Sequence, residues 1–171
     1  MTQPDERAEE LLRKHDISEP PVPVELIAQR EGMRIGKHRF DGHESGFALR
    51  DGHTLIIGVN SLHSSRRQRF TIAHEIGHLK MHEGRQLTLD SSVRINSRDN
   101  VSSLATDREE IQANAFAAAL LMPTAMVFES VKREIAQGDI GRDSLIAKLA
   151  REFDVSTEAM GYRLINLGIL A

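Results

Sequence analysis

Two histidines four residues apart, with a glutamate directly after the first, form the segment His74-Glu75-Ile76-Gly77-His78. Apolar residues around this segment recur at helical spacing, which predicts a helix with His74 and His78 on one face. Two imidazole nitrogens in that geometry can bind zinc. Glu75 then projects beside the ion, where its carboxylate can take a proton from zinc-bound water, whose pKa the ion lowers to about 7. Ordinary amphipathic helices also carry such histidine pairs, so the motif needs a third ligand.

The third ligand has to be a histidine or a carboxylate, because the chain contains no cysteine. An alanine-rich segment predicted to be helical over 107–122 offers Glu109 and Glu110 near its start. Glu110 shares a helix face with Asn114, so Glu110 can bind the metal while Asn114 hydrogen-bonds another ligand. Glu109 shares its face with apolar residues and is the second choice. Both glutamates could instead serve only to stabilise the positive end of the helix dipole.

Composition excludes several classes of function. The absence of cysteine rules out disulfides, thiol catalysis and cysteine-ligated metal. The net charge is −3, with both signs spread along the chain, so no basic field favours nucleic acid or an anionic membrane. The N-terminal residues are polar and the longest apolar run, 115–122, is too short to span a membrane. We therefore expect a cytoplasmic protein.

Hydrophobic periodicity predicts an α+β fold, in which a small antiparallel sheet of about three strands packs with a mainly helical body. The last of these strands is expected to bring a sheet edge beside the helix of the metal motif, and an extended peptide could add to that edge if it is open. Ser64 or Ser65 is expected to cap the helix of the metal motif. Residues 84–106 are expected to form a long polar loop. Strands are predicted over 33–35, 45–49 and 53–60, and the other helices over 4–15, 24–31, 107–122, 124–137, 142–153 and 156–167.

Two strings of the sequence together resemble the ImmA/IrrE family of metallopeptidases, and the resemblance extends over residues 8–170. They are RFTIAHEIGH at 69–78 and EIQANAFAAALLMP at 110–123. The resemblance implies a zincin-like active-site helix and a gluzincin-like zinc site, with ligands His74, His78 and Glu110 and with Glu75 as the catalytic acid and base. Mn²⁺ or Co²⁺ can replace Zn²⁺ at two imidazoles and one carboxylate.

The same resemblance implies a function, and the sequence pattern predicts a domain organisation. The function is an endopeptidase that cleaves a helix-turn-helix (XRE-type) transcriptional repressor and so induces a mobile element, a toxin-antitoxin system or a stress response. Residues 1–123 would form the metallopeptidase core, and residues 124–171 a helix-turn-helix-like segment packed on it. Five residues are candidates for stabilising the oxyanion, without a choice among them: His43, His53, His63, His82 and Tyr162.

Two alternatives remain open at this stage. The protein could be a zinc-containing regulatory partner of a repressor that binds without cutting, for example through the basic run 66–69. It could also bind DNA through the helix pair around the turn at Val155-Ser156. The second helix of that pair carries Arg163 as its only basic residue, together with Glu158. Phosphate contacts need several cations, so direct nucleic-acid binding is not expected.

Overall fold

The fold is α+β, as the sequence predicts, and the computed structural model describes residues 2–41, 44–82, 86–91, 100–138 and 141–171. Within these ranges the chain forms seven helices and four strands. In chain order they are α1 (Gln3–Lys14), α2 (Val24–Arg30), β1 (Met33–His38), β2 (Glu44–Asp51), β3 (Thr54–Asn60), α3 (Ser65–Met81), β4 (Leu87–Ser91), α4 (Asn100–Leu121), α5 (Thr124–Ala136), α6 (Arg142–Glu152) and α7 (Thr157–Asn166).

The four strands form one mixed sheet in the order β1-β3-β2-β4. Strands β2 and β3 are antiparallel and are joined by a two-residue turn, whose first residue, Gly52, has a φ of +57°. Glycine adopts this backbone conformation without strain, which is why the Asp51-Gly52 signal marks a hairpin. Strand β1 runs parallel to β3, so the expectation of a purely antiparallel three-stranded sheet is corrected to a mixed sheet of four strands.

The central place of β3 also shows that the last predicted strand is not an edge of the sheet. Its backbone pairs with β1 on one side and with β2 on the other. Among the described strands, β4 has a single neighbour, β2, to which it is antiparallel. Sequence separation hides this arrangement, because β4 follows β2 in the sheet but is separated from it in the chain by β3 and α3.

The predicted loop over 84–106 is wrong in two places. Leu87–Ser91 is strand β4, and helix α4 begins at Asn100, seven residues before the predicted start. The strand is only five residues long, and a short alternation of apolar and polar residues gives little periodic signal. The part of the predicted loop over 92–99 lies outside the described residues.

Residues 23–117 form one compact unit, which contains the sheet and the helix of the metal motif. Helices α2 and α3 contribute to its core, in which Ile57, Val59, Ile72 and Ile76 are fully buried. Ser64 caps α3, with its side chain accepting a hydrogen bond from the Arg67 backbone N–H. The cap and the apolar face together explain why α3 starts where the sequence predicts.

Residues 2–22 and 118–171 belong to a second compact unit, which is helical. The sequence predicts its helices closely, and the apolar residues of α5, α6 and α7 are buried in it: Val127, Val131, Leu145, Leu149, Met160 and Leu164. The functional division at residue 123 stays a prediction. No single described helix is long and apolar enough to cross a bilayer, and only α4 and α5 together, with a bend between them, reach the required length and hydropathy.

Arg163 is buried within the helical unit, where it joins three segments of the chain. Its Nε donates to the Met122 carbonyl at 3.0 Å, and one terminal nitrogen lies 3.1 Å from Thr124 Oγ1 and 3.3 Å from Asp5 Oδ1. A guanidinium used in this way is not available to a DNA phosphate. The only basic side chain of the presumed recognition helix therefore has a structural role, which argues against the DNA-binding alternative.

We expect replacement of Arg163 to destabilise the helical unit. Arg163→Met removes three hydrogen bonds from a buried charged group and leaves the Met122 carbonyl without its donor. The free energy of unfolding should fall by about 2–3 kcal/mol. Chemical denaturation followed by circular dichroism measures this difference. Arg151→Met, which removes an exposed arginine from α6, is the matched control and should change stability by less than about 0.5 kcal/mol.

The destabilisation should also depend on pH. Burial by itself raises the pKa of Asp5, but hydrogen bonds with Thr2 and the charge of Arg163 outweigh it and lower that pKa overall. A lowered pKa stabilises the folded state above the pKa of the unfolded chain, and this contribution is lost as pH falls through the folded value. The stability difference between wild type and Arg163→Met should therefore shrink below about pH 4. Equal stability of the Arg163 and Arg151 variants would contradict this role.

Candidate metal centre and active site

Helix α3 presents His74 and His78 on one face, one turn apart, as the spacing predicts. Their rings are 4.6 Å apart between centroids, and their Nε2 atoms are 3.0 Å apart. Both rings are buried. Two imidazole nitrogens held this close in a dry environment present their lone pairs to the same point, which a bound cation would stabilise.

Helix α4 brings Glu110 to the same point. One carboxylate oxygen lies 3.3 Å from His74 Nε2 and the other lies 3.2 Å from His78 Nε2. Among the described residues, these three side chains form the only group of candidate ligands whose atoms all lie within 4.8 Å of one another. Glu109, the second choice from the sequence, is not part of that group. The packing of α4 therefore distinguishes Glu110 from its neighbour Glu109, whereas the sequence could only rank the two as ligands.

The three side chains lie close enough together to share one metal ion. Donors bonded to zinc at about 2.0–2.1 Å and at tetrahedral angles are about 3.3 Å apart. The two Nε2 atoms are 3.0 Å apart, and each lies 3.2–3.3 Å from a different oxygen of the Glu110 carboxylate. Two imidazoles and one carboxylate are also a donor set of catalytic zinc sites, which leave one position open for water or substrate. The Glu110 side chain is 32% exposed, so the centre is accessible from solvent.

Asn114, one turn after Glu110 on α4, orients the first histidine. Its Oδ1 lies 3.0 Å from His74 Nδ1. Because the amide oxygen can only accept a hydrogen bond, this contact places the proton of the neutral ring on Nδ1 and leaves the lone pair of Nε2 directed at the metal position. The sequence predicts this pairing from the shared helix face of Glu110 and Asn114, and the structure confirms the contact.

The electrostatics of the centre keep Glu110 ionised. Burial by itself raises the pKa of this carboxyl, but hydrogen bonds with His74 and His78 and their charge outweigh burial and lower the pKa to about 2. The carboxylate is therefore negative throughout the neutral range and can act as a ligand without first losing a proton.

Gly77, the glycine inside the motif, lets the two helices approach closely. A Cβ built on Gly77 would lie 3.0 Å from a ring carbon of Phe116 and 3.3 Å from the Ala113 Cα. A methyl group at this position would require its neighbours on α4 to give by a few tenths of an ångström, and we expect a larger side chain to push α4, with Glu110, away from the histidines. Gly77 has no role among the predictions from the sequence, although a glycine inside a helical pattern is a signal of close packing.

Glu75, the predicted acid and base, is completely buried on α3. Buried carboxylates are rare in proteins, and those beside metal ligands are candidates for catalysis.

The histidines that the sequence leaves as candidates for stabilising the oxyanion differ in position. His82 ends α3, with its ring 5.5 Å from that of His78 between centroids. His53 is exposed in the turn between β2 and β3, and His43 lies outside the described residues.

We expect Asn114 to control metal affinity through His74. Asn114→Leu removes the acceptor while keeping a side chain of similar size, and zinc affinity should fall by about 10- to 100-fold. Asn114→Asp keeps an oxygen acceptor at the same distance from the backbone, so this variant should bind zinc at least as tightly as wild type. Competition with a chromophoric chelator measures both. Equal affinity of the leucine variant and wild type would show that the contact does not orient the ligand.

Comparisons with known proteins show the family to which the chain belongs. The family model of the IrrE N-terminal-like domain matches residues 28–165. A protein of Deinococcus radiodurans named radiation response metalloprotease IrrE is 30% identical over 177 aligned residues, which cover 96% of this chain and 48% of that protein. A protein of the same name from Deinococcus deserti is 35% identical over 117 residues, which cover 64% of this chain and 35% of that protein. The chain thus spans at most about half the length of these relatives.

Proposed function

This chain belongs to the family of the IrrE N-terminal-like domain, and from that membership we propose that it is a zinc-dependent endopeptidase. The observation that carries the proposal is the cluster of three candidate ligands, His74, His78 and Glu110, whose donor atoms all lie within 4.8 Å of one another. The buried carboxylate of Glu75 follows the first of these ligands directly in the chain. The names of the two relatives support metal-dependent proteolysis as the activity.

In the proposed reaction, His74, His78 and Glu110 hold the ion, and Asn114 keeps His74 in the tautomer that can bind it. When bound, a zinc ion polarises the scissile carbonyl and lowers the pKa of a water molecule. Glu75 accepts the proton of the attacking water and then donates it to the departing amine. One carboxylate therefore serves first as base and then as acid, while the three ligands keep their places.

We further propose a helix-turn-helix repressor of the XRE type as the substrate and the cytoplasm as the location. The family resemblance is the basis for this substrate class. Strand β4 provides a place for an extended segment of the substrate, because β2 is its only neighbour among the described strands. A substrate strand paired with β4 by main-chain hydrogen bonds would be separated from β2 by β4 alone, and β2 packs on α3.

Incubation of the purified protein with an XRE-type repressor encoded beside it tests the proposal. We expect cleavage that requires zinc, stops when a chelator removes the metal, and returns when zinc is added back. Electrophoresis and mass spectrometry give the extent and position of cleavage. Absence of cleavage by the zinc-loaded protein, together with stable binding of the repressor, would favour the alternative of a regulatory partner that does not cut.

A further inference from the structure

Strand β2 has an irregularity beside the active-site helix. Neighbouring residues of a regular strand point to opposite faces of the sheet, yet Ser45 and Gly46 are both buried. The pairing with β4 shifts at this place, since Glu44 is opposite Ser91 while Gly46 is opposite Asp90. Ser45 is therefore an extra residue, as in a β-bulge, a feature that often occurs next to active sites and re-aims the chain.

The bulge lies against residues of α3 that are four positions apart. Arg67 donates a hydrogen bond to Ser45 Oγ at 2.9 Å. Thr71, one turn later, and Glu75, a further turn later, lie next to Gly46. Residues at this spacing share one face of a helix, so the face that carries Glu75 is the face that packs on β2.

A side chain at Gly46 would not fit. A Cβ built there would lie 2.4 Å from Thr71 Cγ2, 2.7 Å from the Gly58 carbonyl oxygen and 3.7 Å from Glu75 Oε1. The first two distances are far shorter than van der Waals contact, and one of the two partners is backbone. The strand and the helix could accept a methyl group only by moving apart at the level of Glu75.

We propose that Gly46 is a positioning residue for Glu75, an inference that rests on the proposed peptidase function. By having no side chain, it lets β2 pack directly against Thr71 and holds the face of α3 that carries the catalytic carboxylate. The metal ligands are held by other contacts, since His74 and His78 meet Glu110 and Asn114 of α4. A change at Gly46 should therefore displace the base more than the metal.

The test compares Gly46→Ala with Gly58→Ala, a matched glycine on the neighbouring strand. A Cβ on Gly58 would lie 2.1 Å from the Phe47 ring, so this methyl group would also clash, here with a side chain. That clash is on the other face of the sheet, because Phe47 follows Gly46 and is paired with Gly58. The control therefore disturbs the same pair of strands without touching Glu75. Thr71→Ser, alone and combined with Gly46→Ala, removes the Cγ2 atom that a new methyl group would strike.

For Gly46→Ala we expect kcat to fall by about 10²-fold with KM changed by less than about threefold. Zinc affinity should match that of wild type in chelator competition. The zinc-loaded variant should bind acetohydroxamate about tenfold more weakly than wild type does. The reason is that Glu75, which accepts the hydroxamate proton, is displaced in the variant. Gly58→Ala should keep more activity than Gly46→Ala, although the two variants lose the same thermal stability. Adding Thr71→Ser to Gly46→Ala should restore at least about tenfold in kcat.

Wild-type kcat and acetohydroxamate affinity in Gly46→Ala would overturn the proposal, as would an equal loss of activity in Gly58→Ala at equal stability. If Gly46→Ala does not fold, the double variant with Thr71→Ser is measured in its place by the same criteria. If the wild-type protein cleaves no repressor, the proposed function fails separately. Hydroxamate binding and a crystal structure of the zinc-loaded variant then decide the role of Gly46, and an unmoved Glu75 carboxylate would overturn it.

Discussion

Glu75→Gln should abolish peptide cleavage while zinc remains bound. The substitution keeps the size of the side chain and removes only its ability to accept and return a proton. General acid-base catalysis contributes about 10²–10⁴-fold, so kcat should fall by that factor. Cleavage of the repressor under single-turnover conditions measures the rate, and metal analysis of the same sample measures occupancy.

A second glutamate on the same protein provides the control for Glu75. Glu129→Gln removes an exposed carboxylate of α5 that pairs with Lys132, and it should leave both rate and metal content unchanged. Cleavage by the Glu75→Gln protein at the wild-type rate, after purification from a host that lacks the native protease, would remove Glu75 from the mechanism. Loss of zinc from that variant would instead give Glu75 a role in metal binding.

Glu110→Gln should release the metal and, with it, activity. The amide oxygen is neutral and a weaker ligand, and the change leaves the two histidine nitrogens without the negative charge they now face at 3.2–3.3 Å. Loss of a hydrogen-bonding partner outside the coordination shell lowers metal affinity by up to roughly 10²-fold. Loss of a ligand itself should lower zinc affinity by more than that. Chelator competition measures the affinity.

Glu109→Gln is the matched control for this prediction, because it makes the same chemical change one residue earlier on α4. Glu109 is outside the group of candidate ligands, so we expect wild-type zinc affinity for this variant. Equal loss in both variants would mean that negative charge on this part of α4 matters more than a bond to the metal. Loss in the Glu109 variant alone would exchange the roles of the two residues.

Local geometry explains what could be predicted about the helices. Apolar spacing, a serine cap and proline or glycine at the ends act within a few residues, so the bounds of α1, α2 and α5–α7 agree with the predictions to within about two residues. The turn at Gly52 depends on backbone freedom at one position and was equally predictable. The short strand β4 and the start of α4 were missed, because their patterns are short and partly polar.

In the metal centre, the common face of His74 and His78 was predictable from the sequence alone, because it follows from the pitch of one helix. The position of Asn114 beside Glu110 was predictable for the same reason. The choice of Glu110 over Glu109 as the residue that meets the two rings, and the close approach to α3 at Gly77 and Gly46, became visible only in the folded chain. These relations depend on how elements distant in the chain pack together, and the pitch of a single helix carries no information about that packing.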